Sequence, residues 1–291
     1  MLHRYILHND EIRGATEPVL AAGQVGLLSG WGVFTTLRVQ EGVLFAFERH
    51  WARLTRDAAA FHIALPGDLE EVRLRLLELV EANHAHNSTL RLDIVRNTGG
   101  MWAAPNARET DVVALTADTK NWGRGVRLAY QPEARHAASG FAGTKILSWA
   151  MNLTWLETAQ RRGFDEAILL NERGEVSECT SANIFTAVGD TVFTPPLSSG
   201  CLPGITRELL LDAIQVPGVE IVEKTLLPAD LEVADEVFIT STTRDLLPVA
   251  EIEGRKTGTA SRAVKALSAA FGAYLDNYVA QHKAAHKPQP V

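Results

Sequence analysis

Apolar and polar positions follow two different periods in the first 120 residues. Residues 4–7 and 32–47 have the alternation typical of β-strands, and Glu41-Gly42 supplies turn residues for a hairpin between two β-rich runs. From 51 to 61 the apolar residues recur at helical spacing, and Leu-Pro-Gly at 65–67 ends that helix. The elements predicted next are a helix at 69–82 and strands at 90–95 and 112–117.

The second half of the chain is predicted to contain a hairpin that leads into a helix. Two short apolar runs, 167–170 and 182–187, are separated by turn residues and predict paired strands. Pro203-Gly204 then breaks the chain before a helix that begins near Thr206. The other predicted elements are strands at 126–130, 220–222 and 236–240 and helices at 147–162 and 260–282.

A polar, glycine-bearing segment at 118–124 predicts a linker between two domains. The chain of 291 residues is long for a single compact core. We therefore expect a smaller N-terminal α+β domain at 1–117 and a larger C-terminal domain at 125–291. The mixture of strands and helices in both predicts an α/β (α+β) fold class, and 46% hydrophobic with 22% charged residues is ordinary for a globular protein.

Charge and composition argue against several classes of function. A net charge of −7 without a basic segment argues against a nucleic-acid partner, and no apolar run is long enough for a membrane span or a signal peptide. We expect a cytoplasmic protein in which Cys179 and Cys201, although they could pair, are free thiols. His84 and His86 lack partners at metal-ligand spacing, so we expect no metal site.

Several separated motifs resemble one enzyme family. Residues 165–185, followed by Thr-Pro-Pro at 194–196 and Leu-Pro-Gly-Ile-Thr-Arg at 202–207, resemble the signature of the class IV, or fold type IV, pyridoxal-phosphate aminotransferases, a family that includes aminodeoxychorismate lyase. The resemblance covers residues from about 3 to 280 and implies two domains with the cofactor at their interface. The other matching motifs are Gly-Val-Phe-Thr-Thr-Leu-Arg at 32–38, His-Trp-Ala-Arg-Leu at 50–54, Gly-Thr-Lys at 143–145 and Ala-Asp-Glu-Val-Phe-Ile-Thr-Ser-Thr-Thr at 234–243.

The resemblance implies a pyridoxal 5′-phosphate site with Lys145 as the catalytic lysine, which forms a Schiff base with the cofactor. Glu178 matches the carboxylate that faces the pyridine nitrogen, where a negative charge stabilises the protonated ring. Arg53 and Thr206 match phosphate contacts, since an arginine fork and the start of a helix both suit a dianion. The implied cofactor-binding residues are Arg53, Lys145, Glu178, Leu202, Ile205, Thr206, Ser241 and Thr242.

Substrate recognition departs from the better-known members of the family. Phe34 matches an aromatic residue at the substrate mouth, but Thr35-Thr36 replaces the acidic residue of branched-chain and D-amino acid aminotransferases and is more similar to the lyase. Met101 stands near an arginine of the lyase, and Ala150 stands where branched-chain enzymes have a tyrosine. The implied substrate-binding residues are Phe34, Arg91, Arg96, Thr242 and Thr243.

The resemblance implies a homodimeric aminotransferase that moves an amino group from a small amino acid or amine to a 2-oxo acid. One alternative is 4-amino-4-deoxychorismate lyase, in which Lys145 would serve the release of pyruvate and leave 4-aminobenzoate. Another is a protein that binds pyridoxal phosphate without turnover. The presence of both Lys145 and Glu178 opposes this last alternative, because a protein that only binds the cofactor needs only its phosphate contacts.

Overall fold

The computed structural model describes residues 1–21, 23–99, 108–258 and 261–285. They form two compact units. Unit 1 contains the described residues of 1–120, 145–149 and 276–285, and unit 2 contains those of 121–144 and 150–275. The segments 145–149 and 276–285 therefore belong to unit 1, although both lie within the C-terminal domain predicted at 125–291, whose boundaries stay a prediction. Among these residues no helix is long and apolar enough to cross a membrane.

Unit 1 is built on an antiparallel sheet with two longer helices. Its elements are β1 (Leu2–His8), β2 (Glu11–Gly14), α1 (Val25–Ser29), β3 (Gly32–Gln40), β4 (Val43–Leu44), α2 (Phe47–Ala60), α3 (Leu69–Ala82), β5 (Ser88–Arg96) and β6 (Thr110–Ala117). The described strands lie in the order β2-β1-β6-β5-β3-β4. The β3–β4 hairpin is confirmed. Both Glu41 (φ 52°) and Gly42 (φ 82°) adopt the left-handed backbone that tight hairpin turns require.

Helices α2 and α3 follow the predicted periodicity. Trp51, Leu54 and Ala58 lie on the buried face of α2, as their spacing predicts. The bounds predicted for α3 are confirmed. Asp68 caps this helix by accepting hydrogen bonds from two backbone N–H groups of its first turn, and the Glu71 side chain accepts one from the Asp68 N–H.

Unit 2 contains a mixed sheet. Its strands are β7 (Val126–Arg135), β8 (Glu166–Asn171), β9 (Val176–Cys179), β10 (Asn183–Val188), β11 (Thr191–Thr194), β12 (Glu220–Glu223), β13 (Glu236–Ser241), β14 (Asp245–Ile252) and β15 (Arg255–Lys256). The order is β12-β11-β10-β13-β14-β7-β8-β9, and β15 pairs with β14. The helices that begin in this unit are α4 (Ala150–Arg161), α5 (Ile205–Glu208), which continues as a π-helix at Leu209–Ala213, α6 (Pro228–Glu232) and α7 (Arg262–Ala285).

Two expectations for this half of the chain need correction. The strands at 167–170 and 182–187 exist as β8 and β10, but they do not pair with each other: β8 lies between β7 and the intervening β9, which is its antiparallel partner. All four residues of β9 are buried, so the strand has no alternating pattern to reveal it. The helix predicted at 147–162 begins only at Ala150, because the backbone of Leu147 pairs with Gly32 instead.

Candidate active site

The segment around Lys145 is extended and lies beside β3. The Phe34 N–H donates to the Lys145 carbonyl oxygen at 3.1 Å, and the Leu147 N–H donates to the Gly32 carbonyl oxygen at 2.9 Å. Val33 and Ile146 form the bridge between these two bonds. This pairing fixes the backbone of the predicted catalytic lysine against the central part of unit 1.

Two aromatic rings lie near the Lys145 ammonium group. Its Nζ lies 4.4 Å from the centroid of the Phe34 ring and 5.8 Å from that of Trp149, and the two rings meet edge to face. The Arg91 guanidinium also lies on the Phe34 ring, at 3.9 Å, and forms an ion pair with Asp93. Burial raises the pKa of the Asp93 carboxyl, although its bond to Arg91 opposes the shift. Two predicted substrate residues, Phe34 and Arg91, are thus in contact.

Arg53 lies in a buried polar cluster on α2. Its Nη2 donates to the Thr35 hydroxyl at 3.1 Å, and the same hydroxyl lies 2.7 Å from Nδ1 of His50. Burial lowers the pKa of His50 well below its usual value, and the positive charges of Arg53 and Lys145 lower it further. The imidazole is therefore neutral. Such a buried guanidinium on a rigid helix fits a phosphate dianion.

Arg96 makes a different set of contacts from those expected of a substrate residue. Its Nε donates to the Thr98 carbonyl oxygen at 2.8 Å, and its Nη1 donates to the His62 carbonyl oxygen at 2.7 Å. The guanidinium also packs on the Trp31 ring at 4.1 Å. These bonds support the chain just beyond the end of α2, and a role for Arg96 in substrate binding stays a prediction. Met101 lies outside the described residues.

Glu178 lies on β9 in unit 2, is 8% exposed and uses both carboxylate oxygens. Its Oε1 accepts hydrogen bonds from Arg135 at 3.1 Å, and its Oε2 accepts one from the Leu202 N–H at 3.1 Å. Arg135 also donates to Asn152 at 3.2 Å. Glu178 is therefore a buried carboxylate held by an arginine and a backbone amide, and not the exposed glutamate that its sequence alone allows. Arg135 has no local sequence signal that would have identified it.

The chain from Leu202 to Thr206 approaches its neighbours closely. Asn183 donates to the Leu202 carbonyl oxygen at 2.8 Å, and a Cβ on Gly204 would lie 2.0 Å from the Asn183 Oδ1. Any side chain at position 204 would therefore displace the Asn183 side chain and its bond to Leu202. Ile205 and Thr206 follow as the buried first residues of α5, which packs against β13.

Ser241 is the last residue of β13, Thr242 and Thr243 lie in the turn that follows, and a buried arginine supports this turn. Arg244 donates to the Ser181 carbonyl oxygen and hydroxyl, both at 2.9 Å, and pairs with Glu166. Its guanidinium also packs on the Trp122 ring, at 3.7 Å. Neither Glu166 nor Arg244 is indicated by the sequence, because their partners are distant along the chain.

Each unit by itself carries side chains whose chemistry suits part of a phosphorylated pyridine cofactor. In unit 1 these are the buried guanidinium of Arg53 and the amine of Lys145. In unit 2 they are the buried carboxylate of Glu178 and the buried hydroxyl of Thr206. A guanidinium and a hydroxyl suit a phosphate, and a carboxylate suits a protonated ring nitrogen. Among the described residues no cluster of side chains could hold a metal ion.

Comparison with known proteins identifies relatives along most of the chain. Residues 32–252 match the model of the class IV amino-transferase family. A Methanocaldococcus jannaschii protein assigned as a branched-chain-amino-acid aminotransferase is 32% identical over 234 residues, which cover 79% of this chain and 81% of that protein. A D-alanine aminotransferase of Bacillus licheniformis is 29% identical over 273 residues, which cover 87% of this chain and 90% of that protein.

The fold has close counterparts among solved structures. A branched-chain aminotransferase from Thermoproteus uzoniensis, crystallised with norvaline, matches with a TM-score of 0.86 and 25% identity, covering 96% of this chain and 98% of that one. The α/β fold expected from the motifs is confirmed as fold type IV. Together with the family match, this shows that the chain belongs to the class IV, pyridoxal-phosphate-dependent aminotransferases.

Proposed function

We propose that this protein transfers an amino group from a small, partly apolar amino acid or amine to a 2-oxo acid such as 2-oxoglutarate or pyruvate. The observation that carries the proposal is the buried Glu178 carboxylate, which Arg135 and the Leu202 amide hold in place. A protein that only stored the cofactor would have no need of such a group. Pyridoxal 5′-phosphate, when bound, supplies a ring that stabilises negative charge at the substrate α-carbon.

In this proposal each predicted site residue has a separate task. Lys145 would hold the cofactor covalently, and its amine would move the proton at the substrate α-carbon as a general base. Glu178 keeps a negative charge beside the ring nitrogen. Arg53 and Thr206, with the amides of 205 and 206, hold the phosphate. We assign the remaining cofactor contacts to Leu202, Ser241 and Thr242.

Phe34 and Arg91 support the assignment of a substrate pocket on one face of β3 and β5. Phe34 pairs with Asp93 across these strands, so that Phe34, Arg91 and Asp93 point to the same face. A cationic guanidinium on an aromatic ring suits a substrate with a carboxylate and an apolar side chain. We also assign Thr242 and Thr243 to substrate binding, as the family resemblance implies. The same resemblance leads us to propose a cytoplasmic homodimer.

The test is a screen of amino donors against oxo acids, run beside an assay for release of 4-aminobenzoate from 4-amino-4-deoxychorismate. We expect amino transfer with at least one small donor, and no transfer by the Lys145→Ala variant. The lyase is the second candidate because Phe34-Thr35-Thr36 resembles that enzyme. Release of aminobenzoate without transfer to any oxo acid would establish the lyase and exclude the aminotransferase.

A further inference from the structure

Asp57 is a buried carboxylate that contacts the backbone of the catalytic lysine. It lies on α2, is 1% exposed, and its Oδ2 accepts a hydrogen bond from the Lys145 N–H at 3.0 Å. Its Oδ1 accepts from Nε and Nη2 of Arg56 at 3.0 and 2.5 Å. The side chain of Arg56 is half exposed, so one oxygen of Asp57 faces a cation near the surface and the other faces Lys145.

The two peptide groups of Lys145 are fixed by different neighbours. Phe34 of β3 binds its carbonyl oxygen, and Asp57 binds its N–H. A hydrogen bond from a backbone N–H to an ionised carboxylate is shorter and stronger than one between neutral groups. Because Asp57 is buried, loss of this hydrogen bond would leave the Lys145 N–H without either a protein partner or water, which increases the cost. The orientation of the Lys145 backbone therefore depends on Asp57.

We propose that Asp57 is a positioning residue for Lys145, which holds the lysine backbone so that the amine projects over the Phe34 ring. The proposal rests on the proposed function, in which Lys145 binds the cofactor covalently. Asp57 lies four residues after Arg53, one turn along the same helix. One rigid element would thus contribute the phosphate contact and the anchor of the lysine, and would fix the span between them.

Pyridoxamine 5′-phosphate separates this role from a general structural one. It has the same ring and phosphate as pyridoxal 5′-phosphate but an amine in place of the aldehyde, so it forms no bond to a lysine. A residue that only stabilised α2 would affect the binding of both compounds. A residue that positions Lys145 affects the aldehyde alone.

The experiment measures the affinity of the full-length protein for both compounds, and the fraction of Lys145 trapped on pyridoxal 5′-phosphate by borohydride. In Asp57→Ala we expect affinity for the aldehyde to fall by about tenfold or more, since a hydrogen bond to a charged group is lost, whereas affinity for the amine stays within about twofold. Asp57→Asn retains an acceptor oxygen, so we expect it to keep most of the affinity for the aldehyde that Asp57→Ala loses. Arg56→Gln is the matched control, because it removes the ion pair and leaves the Lys145 bond.

The outcomes are distinguishable. Equal losses for both compounds, or no rescue by Asp57→Asn, would overturn the positioning role. If Asp57→Ala does not fold, Asp57→Leu keeps the side-chain volume and is judged by the same comparison. In the Lys145→Ala background, Asp57→Ala should cause no further loss of affinity for the aldehyde. Absence of a trapped lysine in the unaltered protein would instead refute the proposed function itself.

Discussion

Two polar clusters, one in each unit, are stabilised in different ways. The lysine cluster of unit 1 consists of Thr35, His50, Arg53, Asp57 and Lys145. The carboxylate cluster of unit 2 consists of Arg135, Glu166, Glu178 and Arg244. The carboxylate cluster contains two arginine–glutamate ion pairs, of which Arg244–Glu166 is buried and Arg135–Glu178 is mostly buried. In the lysine cluster, Arg53 donates to a hydroxyl. The Lys145 carbonyl oxygen accepts a bond from the Phe34 N–H, its own N–H donates to Asp57, and its ammonium group lies over aromatic rings.

This difference indicates which property each cluster controls. A buried ion pair costs a great deal to break, because the remaining partner is an uncompensated charge. Contacts of an ammonium group with aromatic rings contribute only about 0.5–1 kcal/mol where solvent reaches them. We therefore expect substitutions in the carboxylate cluster to lower stability first, and substitutions at Lys145 to remove activity with little change in stability.

Replacement of Lys145 by alanine should give the largest effect. We expect transamination to fall by at least about 10³-fold, because both the covalent attachment and the general base are lost. The free energy of unfolding of the cofactor-free protein should change by no more than about 1 kcal/mol. Rate assays and denaturant unfolding measure the two quantities. The matched control is Lys224→Ala, since Lys224 also lies over an aromatic ring, that of Phe193 at 5.2 Å. Comparable loss of activity in both variants would contradict the assignment.

Arg244→Ala tests the opposite half of the comparison. This substitution removes the ion-pair partner of Glu166, whose side chain is only 2% exposed. We therefore expect the free energy of unfolding to decrease by about 3–5 kcal/mol. Denaturant unfolding measures it. Arg161→Ala removes the exposed pair with Glu157 and should change stability by less than about 1 kcal/mol. Similar values for the two arginines would show that the Glu166 pair is not buried in solution. The double substitution Glu166→Gln with Arg244→Met should recover part of the loss.

The sequence predicts those features that depend on local pattern. The bounds of α3 are predicted from apolar spacing, and Asp68 immediately before it is a local capping signal. The Glu41-Gly42 turn is likewise predicted by its own two residues. Family motifs select Lys145 and Glu178, whereas neither residue has a local signature, since an isolated lysine or glutamate is usually a solvated surface group.

Features that depend on distant partners are not predictable in this way. The start of α4 is displaced from 147 to 150 because Leu147 pairs with Gly32, more than a hundred residues earlier. From its sequence context, Asp57 is an ordinary polar residue of an amphipathic helix. Only the structure shows its hydrogen bond to Lys145, 88 residues later. Arg135 and Arg244 are identified only by the carboxylates that the fold brings to them. Tertiary pairing, which sequence periodicity does not encode, determines these positions.

The dependence of the free energy of unfolding on pH tests the role of His50, the neutral residue of the lysine cluster. Since burial lowers the pKa of His50 in the folded state, the unfolded chain binds one more proton than the folded chain below about pH 6.5. Stability is therefore full above that pH and falls by about 1.4 kcal/mol per pH unit as the pH decreases, until the folded-state pKa is reached. His50→Asn should flatten the dependence of unfolding free energy between pH 6.5 and 5 relative to the unaltered protein. His136→Asn, at a ring that is 70% exposed, is the control. An unchanged slope in His50→Asn would show that His50 does not carry the acid sensitivity.

Asp68→Ala should give the smallest effect and separates stability from chemistry within unit 1. Asp68 accepts hydrogen bonds from the N–H groups of Glu70 and Glu71 at 2.8 and 3.0 Å, and loss of such a cap costs about 1 kcal/mol. Helix α3 belongs to the same unit as Lys145 but supplies none of the proposed site residues. The free energy of unfolding should therefore decrease while the borohydride-trapped fraction of Lys145 is unchanged. If the trapped fraction fell with so modest a loss of stability, the lysine would depend on the general stability of unit 1, and its local bonds to Asp57 and Phe34 would not be sufficient to position it.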